Sequence, residues 1–454
     1  MPTDRERDLR ERLREGERLF PDYGGRCFAH VPDTVRSVLG DEAERPLPHD
    51  VLEGVGEDNG ESDGGGDGDE GGDGDGNGGW SDGRFDRVLL LLVDGFGLAY
   101  WRRFADHPLL ERFEEVGTVS PLTSIYPSET AAALTTLHTG RLPASHGVLG
   151  WYVYDPADDA AYEAFTVDVR AGDESVADEM DLEDVYEGEA IYPSLCAAGI
   201  ESRHVVPFEE TYEGAIAHTY DLNLEGGTFE SALADAFEAA DDPAYLYAYL
   251  PQVDTAAHRY GTTAAEYEAT VSATLDALER AVDGLGSAMG RGGSGGPDGE
   301  TLVLLTADHG HVDTDPERNV DLESAPFAEP ILESLRCHAD GEPVRYAGSP
   351  RNLHLHLRDD AGESAAAIRA RLESELDARV FTRTEALERD LFGDGERSET
   401  FERRVGDLVV CHRDLSVWYG SDPLQLSLVG MHGGLHPDEM LVPFAAATLE
   451  NLRR

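Results

Sequence analysis

A chain of 454 residues has room for one large core with insertions, or for two to three domains. Its 92 acidic residues against 36 basic ones give a formal charge of −56, and no lysine occurs, so every strong base is arginine. That balance excludes binding to nucleic-acid polymers or anionic membranes, which need a positive footprint. A 40% hydrophobic content gathered into strand-like runs excludes global disorder.

The acidic excess runs through nearly every segment, which implies a proteome adapted to high salt. There the Debye length shrinks to about 3 Å near 1 M and self-repulsion is screened. In chain order, "MPTDRERDLRERLREGERLF" is charged throughout and lacks the apolar stretch of a signal peptide. No apolar run approaches the ~18 residues that span a bilayer, so the cytoplasm is the expected location. Residues 3–19 are predicted as a short charged helix and the stretch to 52 as irregular, making 1–52 an N-terminal helical arm. Residues 53–83 form an acidic Gly/Asp tract with almost nothing to bury, expected to be a disordered linker. Its D-G-D repeats lack the twelfth-position Glu and flanking apolar helices of a calcium loop. Cys27, Cys196, Cys337 and Cys411 lie far apart with no C-x-x-C pair, which indicates neither a disulfide framework nor a thiolate zinc site.

The core begins at "RFDRVLLLLVDGFG", a continuous apolar run suited to a buried parallel strand. "AYLYAYLPQVDTAAH" (244–258) and "TLVLLTADHGH" (301–311) repeat the pattern of strand followed by polar cluster, with helices predicted at 228–240 and 263–285. This alternation predicts an α/β fold with a mostly parallel central sheet flanked by helices. A Gly-rich break at 290–299 is read as a loop within that core. From about 341 the pattern alternates like antiparallel strands, with a helix near 361–377. Residues 341–425 are therefore expected to be a smaller α+β insertion, and 84–340 with 426–454 the catalytic core. "MHGGLHPDEMLVPF" (431–444) looks like the return to the main sheet.

In such sheets, ligands bind beyond the carboxyl ends of the strands. Asp94 ends the first run. Asp254 and His258, spaced i, i+4, share one face of a helical turn. Asp308 and His309 are adjacent on a strand-end loop, and His432 and His436 lie in a Gly-rich loop. Singly, each has an ordinary structural reading as a turn cap or a solvated face. Together they bring carboxylates and imidazoles to one sheet edge, the donor set for two divalent ions and displacement at phosphorus. The stretch "YPSETAAALTTLHTG" supplies a hydroxyl: it predicts a helix stopped by Gly140, with Thr130 in its first turn, where N–H groups and the helix dipole favour a phosphoryl group. Thr135, Thr136 and Thr139 lie further along, where their hydroxyls are expected to bond carbonyls of the preceding turn.

These motifs resemble the alkaline phosphatase superfamily, most closely its type I phosphodiesterase/nucleotide pyrophosphatase branch. The resemblance is carried in order by V-D-G-F-G, Y-P-S-E-T…T-G-R-L-P-A-S-H-G-V, Q-V-D-T-A-A-H-R-Y-G with T-A-D-H-G-H, and M-H-G-G, from about 88 to 436. It implies an alkaline phosphatase-like fold and a phosphoric ester hydrolase in which Thr130 forms a covalent phosphothreonine that water then hydrolyses. It also implies one metal held by Asp94, Thr130, Asp308 and His309, and another held by Asp254, His258 and His432. Zinc is the family's usual ion, with manganese or magnesium as alternatives. His432 is preferred to His436 because it directly precedes Gly433. His311 is read as lining the site and His146 as packing near the Thr130 helix. The implied partner is a small phosphorylated substrate, and no oligomeric state follows.

Three departures bear on the substrate. Where the pyrophosphatases place an Asn that helps hold the phosphoryl oxygens, this chain has Trp151 in "HGVLGWYVY". The Thr130 backbone N–H or another side chain is the expected replacement donor, and phosphomonoesterase or phosphonate hydrolase activity stays open. "HGGL" resembles the last motif of phosphonoacetate hydrolases, but the lysines those enzymes use are absent. Neither the C/S-x-P-x-R of sulfatases nor the serine and lysine of the cofactor-independent mutases is found. Tyr152, Tyr154 and Tyr162 are candidates to stack a base. The rival from another class is a non-catalytic metal-binding module. A plain nucleotide-binding domain is disfavoured because both the G-x-G-x-x-G and P-loop patterns are missing.

Overall fold

The computed structural model describes residues 3–56, 85–176, 180–209, 212–285 and 300–453. Most of the 53–83 linker and the 290–299 break lie outside the described residues.

The central sheet has seven strands in the order Thr118–Thr123, Leu441–Thr448, Thr301–Thr306, Arg87–Val93, Ala244–Leu250, Glu201–Val206, Ala215–Thr219. Leu441–Thr448 runs antiparallel to both its neighbours, and every other adjacent pair is parallel. Val88 to Val93 are fully buried because helices cover both faces of a parallel sheet. The mostly parallel α/β core is therefore present, and the last strand is the predicted return of the chain. Helices Thr228–Ala239 and Ala265–Gly284 match their predicted ranges closely.

Register brings the functional segments to one edge. Thr306 pairs with Leu92 and Leu250 with Val93, so the strands before Asp308, Asp94 and Asp254 end side by side. Phe444 pairs with Thr306, and Leu441 with Thr123. Consequently the 430–440 loop enters its strand, and the chain leaves toward Thr130, at that same edge.

A second seven-stranded sheet is antiparallel throughout, ordered Ala378–Thr382, Leu408–His412, Asn352–Leu355, Gly348–Ser349, Tyr152–Asp155, Ala160–Glu163, Val169–Gly172. It draws strands from 152–172 as well as from 341–425, and the helix Ala365–Glu375 lies within this lobe's chain. The N-terminal arm differs from its prediction. The first helix is Asp4–Leu13, capped by Thr3, and the chain then turns through Gly16 (φ 64°) into a small hairpin. The stretch expected to be irregular contains the helix Val31–Val38, whose Val31, Val35 and Val38 are buried at helical spacing behind Pro32.

Candidate metal centre

The helix Thr130–Thr139 is buried along its whole length, and Ala131, Ala132 and Ala133 let it lie close against its surroundings. Gly140 ends it in the left-handed region at φ 67°. No side chain caps its N-terminus, so the first N–H groups keep their capacity to bind an anion. Thr135 and Thr139 bond the carbonyls of Ala131 (2.7 Å) and Thr135 (2.6 Å), as expected. Thr136 instead meets His146 Nε2 at 3.0 Å, because the P-x-x-H-G turn folds back onto that face of the helix.

Thr130 Oγ1 lies 3.0 Å from His309 Nε2, which stands 3.4 Å from both Asp94 Oδ1 and Asp308 Oδ2. Asp94, Asp308 and His309 thus form one group whose potential donor atoms all fall within 4.8 Å of each other. The other group centres on Asp254 Oδ1, with His311 Nε2 at 2.9 Å, His258 Nε2 at 3.4 Å and His432 Nε2 at 3.5 Å. His258 and His432 approach through their Nε2 atoms at 3.2 Å. The rings of His309 and His432 stack with centroids 3.7 Å apart, so the two groups abut.

The hydrogen bonds fix what these imidazoles offer. Each Nδ1 meets a main-chain carbonyl: His309 that of Gly310 (3.0 Å), His311 that of Gly95 (3.1 Å), His258 that of Gly430 (2.7 Å) and His432 that of Ser128 (3.1 Å). A carbonyl only accepts, so Nδ1 carries the proton and Nε2 presents a lone pair. Four Nε2 lone pairs then face carboxylate oxygens, acceptors facing acceptors. Asp94 Oδ1 and Asp308 Oδ2 are buried without a hydrogen-bond partner among the described residues. Such a cluster is unstable alone and is satisfied by cations. Imidazoles anchored through their second nitrogen are the usual form of metal ligands.

The electrostatics agree. Burial, reinforced by the Asp308 and Asp254 carboxylates, pushes Asp94 well above the usual carboxylate range. Asp308 rises to about 7, chiefly through burial. Burial also pushes Asp254 upward, and it falls below its ordinary value only through the positive charge that His258, His311 and His432 carry when protonated, a charge that a cation at the site replaces. Burial keeps His309, His258 and His432 below the ordinary imidazole value, in the neutral ligand form.

Several supporting residues carry no sequence signal. The Tyr249 hydroxyl donates to Asp94 Oδ2, and Ser124 Oγ donates to the Asp308 carbonyl at 2.5 Å. Backbone N–H groups of Gly95 and His309 donate to Asp308 Oδ1. At Gly95 (φ 72°) an added Cβ would fall 2.1 Å from the His311 ring, so only glycine admits that imidazole. Glu129, just before Thr130, is buried with Oε2 unpartnered, and burial raises it to about 8.

Other candidates fall elsewhere. His436 caps the turn Pro437–Met440, its Nδ1 accepting from the Asp438 N–H at 3.2 Å, and lies in neither metal group. Trp151 packs edge-on to Phe165. Tyr152 stacks on Trp418, and Tyr162 bonds Arg404, so both belong to the second lobe's packing. Tyr154 is buried there as well. A third cluster, His107, Asp276 and Glu279, is a surface ion-pair group. Its His107 Nδ1 accepts the Leu109 N–H, so Nε2 bears the proton and donates to Asp276, while Arg112 pairs with Glu279.

The sequence profile described as type I phosphodiesterase/nucleotide pyrophosphatase matches residues 88–435. Murine ectonucleotide pyrophosphatase/phosphodiesterase 5 has a similar structure, at 17% identity, 79% coverage of this chain, 87% of that one and a TM-score of 0.57. Its inactive threonine-to-alanine form with AMP aligns at 16% identity, 80% and 88% coverage and 0.56. Phosphonoacetate hydrolase from Sinorhizobium meliloti 1021, in complex with phosphonoformate, aligns at 19% identity, 80% and 90% coverage and 0.56. At these identities the likeness of structure speaks for the fold.

Proposed function

Because the chain belongs to the type I phosphodiesterase/nucleotide pyrophosphatase family of metal-dependent phosphoester hydrolases, we propose that it cleaves phosphate esters of the diester or pyrophosphate type with Thr130 as nucleophile at a two-metal site. One ion is assigned to Asp94, Thr130, Asp308 and His309, the other to Asp254, His258 and His432, with His311 beside Asp254. The observation that carries this reading is the convergence of Nε2 lone pairs and unpartnered carboxylate oxygens around Thr130 Oγ1. A donor set this rich in imidazole favours zinc over magnesium. When bound, two such ions neutralise charge on the phosphoryl oxygens and favour an ionised hydroxyl.

Within that frame, Thr130 Oγ forms the bond to phosphorus as the P–O bond to the alcohol breaks, and the alcohol leaves protonated. Water then cleaves the phosphothreonine and restores the hydroxyl. The first N–H groups of the Thr130–Thr139 helix, uncapped by any side chain, are assigned as donors to the phosphoryl oxygen that gains charge, a role that requires no asparagine at position 151. The inactive threonine-to-alanine form of the murine relative supports the same role for Thr130. Thr130→Ala is expected to lower turnover of bis(p-nitrophenyl) phosphate by about 10³-fold or more, with zinc still bound by the remaining side chains. Undiminished turnover in a zinc-replete variant would sink the assignment. A parallel panel of monoester, diester, nucleoside triphosphate and phosphonoacetate separates this reading from its monoesterase and phosphonate hydrolase alternatives.

A further inference from the structure

Against the metal centre lies a cavity of about 340 Å³ between the Thr130–Thr139 helix and the sheet. Two observations tie it to the chemistry. Tyr249 lines the cavity while its hydroxyl donates to Asp94. Leu134 lines it too, one helical turn or about 6 Å along the axis from Thr130. Its walls are rings and aliphatic side chains, with Phe165, Phe208 and Tyr247 among them.

We propose that this cavity holds the organic side of the ester, and that this group is an uncharged aromatic alcohol rather than a polyphosphate-bearing nucleotide. The inference rests on the hydrolase reading above and adds the substrate class. Ring walls favour a flat apolar guest through offset and edge contacts. The charge of the lining decides against a further anion: among the described residues that line it Glu183 is the one carboxylate and no arginine occurs, and the chain has no lysine. Burial holds the lining His138 and His204 well below the ordinary imidazole value, so neither offers a second or third phosphate a positive charge. The Tyr247 hydroxyl is buried, at 2% residue exposure, without a hydrogen-bond partner among the described residues. A buried donor left unmade is costly, so an oxygen on the ring of the guest completes it. At this volume the cavity sits at the small end of ligand pockets, with room for one or two fused rings.

1-Naphthol tests the cavity without phosphorus or metal. It is titrated by its own fluorescence into metal-free protein at high salt, beside Val206→Trp, which fills the cavity, and Phe208→Ala, which removes a wall. Phe208 is 48% exposed, so its removal leaves the fold intact. Saturable binding is expected, weakened about tenfold in either variant, a change of about 1.4 kcal/mol. With zinc restored, KM for methyl 1-naphthyl phosphate, a diester, rises by a similar factor in both variants. Naphthol that does not bind, or that binds all three folded proteins alike, overturns the cavity assignment. Nucleoside triphosphates turned over at lower KM than the naphthyl ester overturn the substrate class. Intact naphthol binding with no ester cleaved overturns the hydrolase reading and the ester half of the proposal, while the cavity assignment stands on the binding arm.

Discussion

Glu129 shows how one buried residue ties the fold's stability to pH. Its carboxyl is buried at the start of the Thr130–Thr139 helix, 3.9 Å from His432 Nδ1, and burial raises it from 4.5 to about 8 in the metal-free protein. A carboxyl whose folded pKa exceeds its unfolded value stabilises the fold fully below the unfolded value, and that contribution is lost as pH rises through the folded one. The buried histidines act in the opposite sense, but only below their ordinary value near 6.5. Between pH 7 and 8.5 the Glu129 carboxyl therefore contributes alongside Asp94 and Asp308, which burial raises in the same sense. Glu129 alone is expected to account for about 1 kcal/mol lost by metal-free protein across that interval, and Glu129→Gln to remove that share of the decline. Urea midpoints at constant salt measure it, and a wild-type profile as flat as the variant's contradicts it.

At the scale of elements, the loop that carries His432 is held from the other lobe. Arg351, in the turn between Gly348–Ser349 and Asn352–Leu355, forms a fully buried two-pronged pair with Glu439, at 2.9 and 2.8 Å. Glu439 in turn accepts from the N–H groups of Gly434 (3.2 Å) and His436 (2.9 Å). Arg351→Met leaves that carboxylate buried and unpaired, which costs about 3–5 kcal/mol, and the loosened loop should also bind zinc more weakly. Denaturant unfolding and a chelator competition read the two effects, and a loss below about 1 kcal/mol would show the pair to be dispensable. This clamp also marks the limit of what the sequence discloses. Asp94, Asp254, Asp308 and His309 were legible because each follows its own apolar run, so local pattern places them at the strand ends. Thr130 was legible from the helix-start pattern around it. Arg351–Glu439, Tyr249–Asp94 and the pairing of 152–172 with 348–412 join residues far apart in the chain, and no periodicity encodes such partners. The helix Val31–Val38 was missed for a related reason: eight residues are a short window, and the apolar face becomes visible only against the core it meets.

At the scale of the whole molecule, a charge of −56 sets the conditions under which the rest can operate. Arginine, the sole strong base, is extensively paired with carboxylates across the surface, as in Arg112 with Glu279 and Asp283 and Arg369 with Glu385. With 36 basic residues against 92 acidic ones, most carboxylates have no arginine to meet. Their mutual repulsion favours the expanded chain, and only mobile ions can relieve it. The screening length is about 30 Å at 0.01 M salt and about 3 Å at 1 M, so relief should continue well beyond the concentrations at which ordinary proteins saturate. The melting temperature is accordingly expected to climb steeply with potassium chloride up to the molar range, in metal-free and zinc-loaded protein alike. On the proposed assignment, zinc is expected to add stability by binding only the folded state, an increment that depends on its concentration relative to Kd. The two contributions separate experimentally: a salt series at fixed zinc reports repulsion, and a zinc series at fixed salt reports the site. A melting temperature independent of salt between 0.1 and 2 M would remove the case for adaptation to brine, and would place the acidic excess in segments that do not oppose folding.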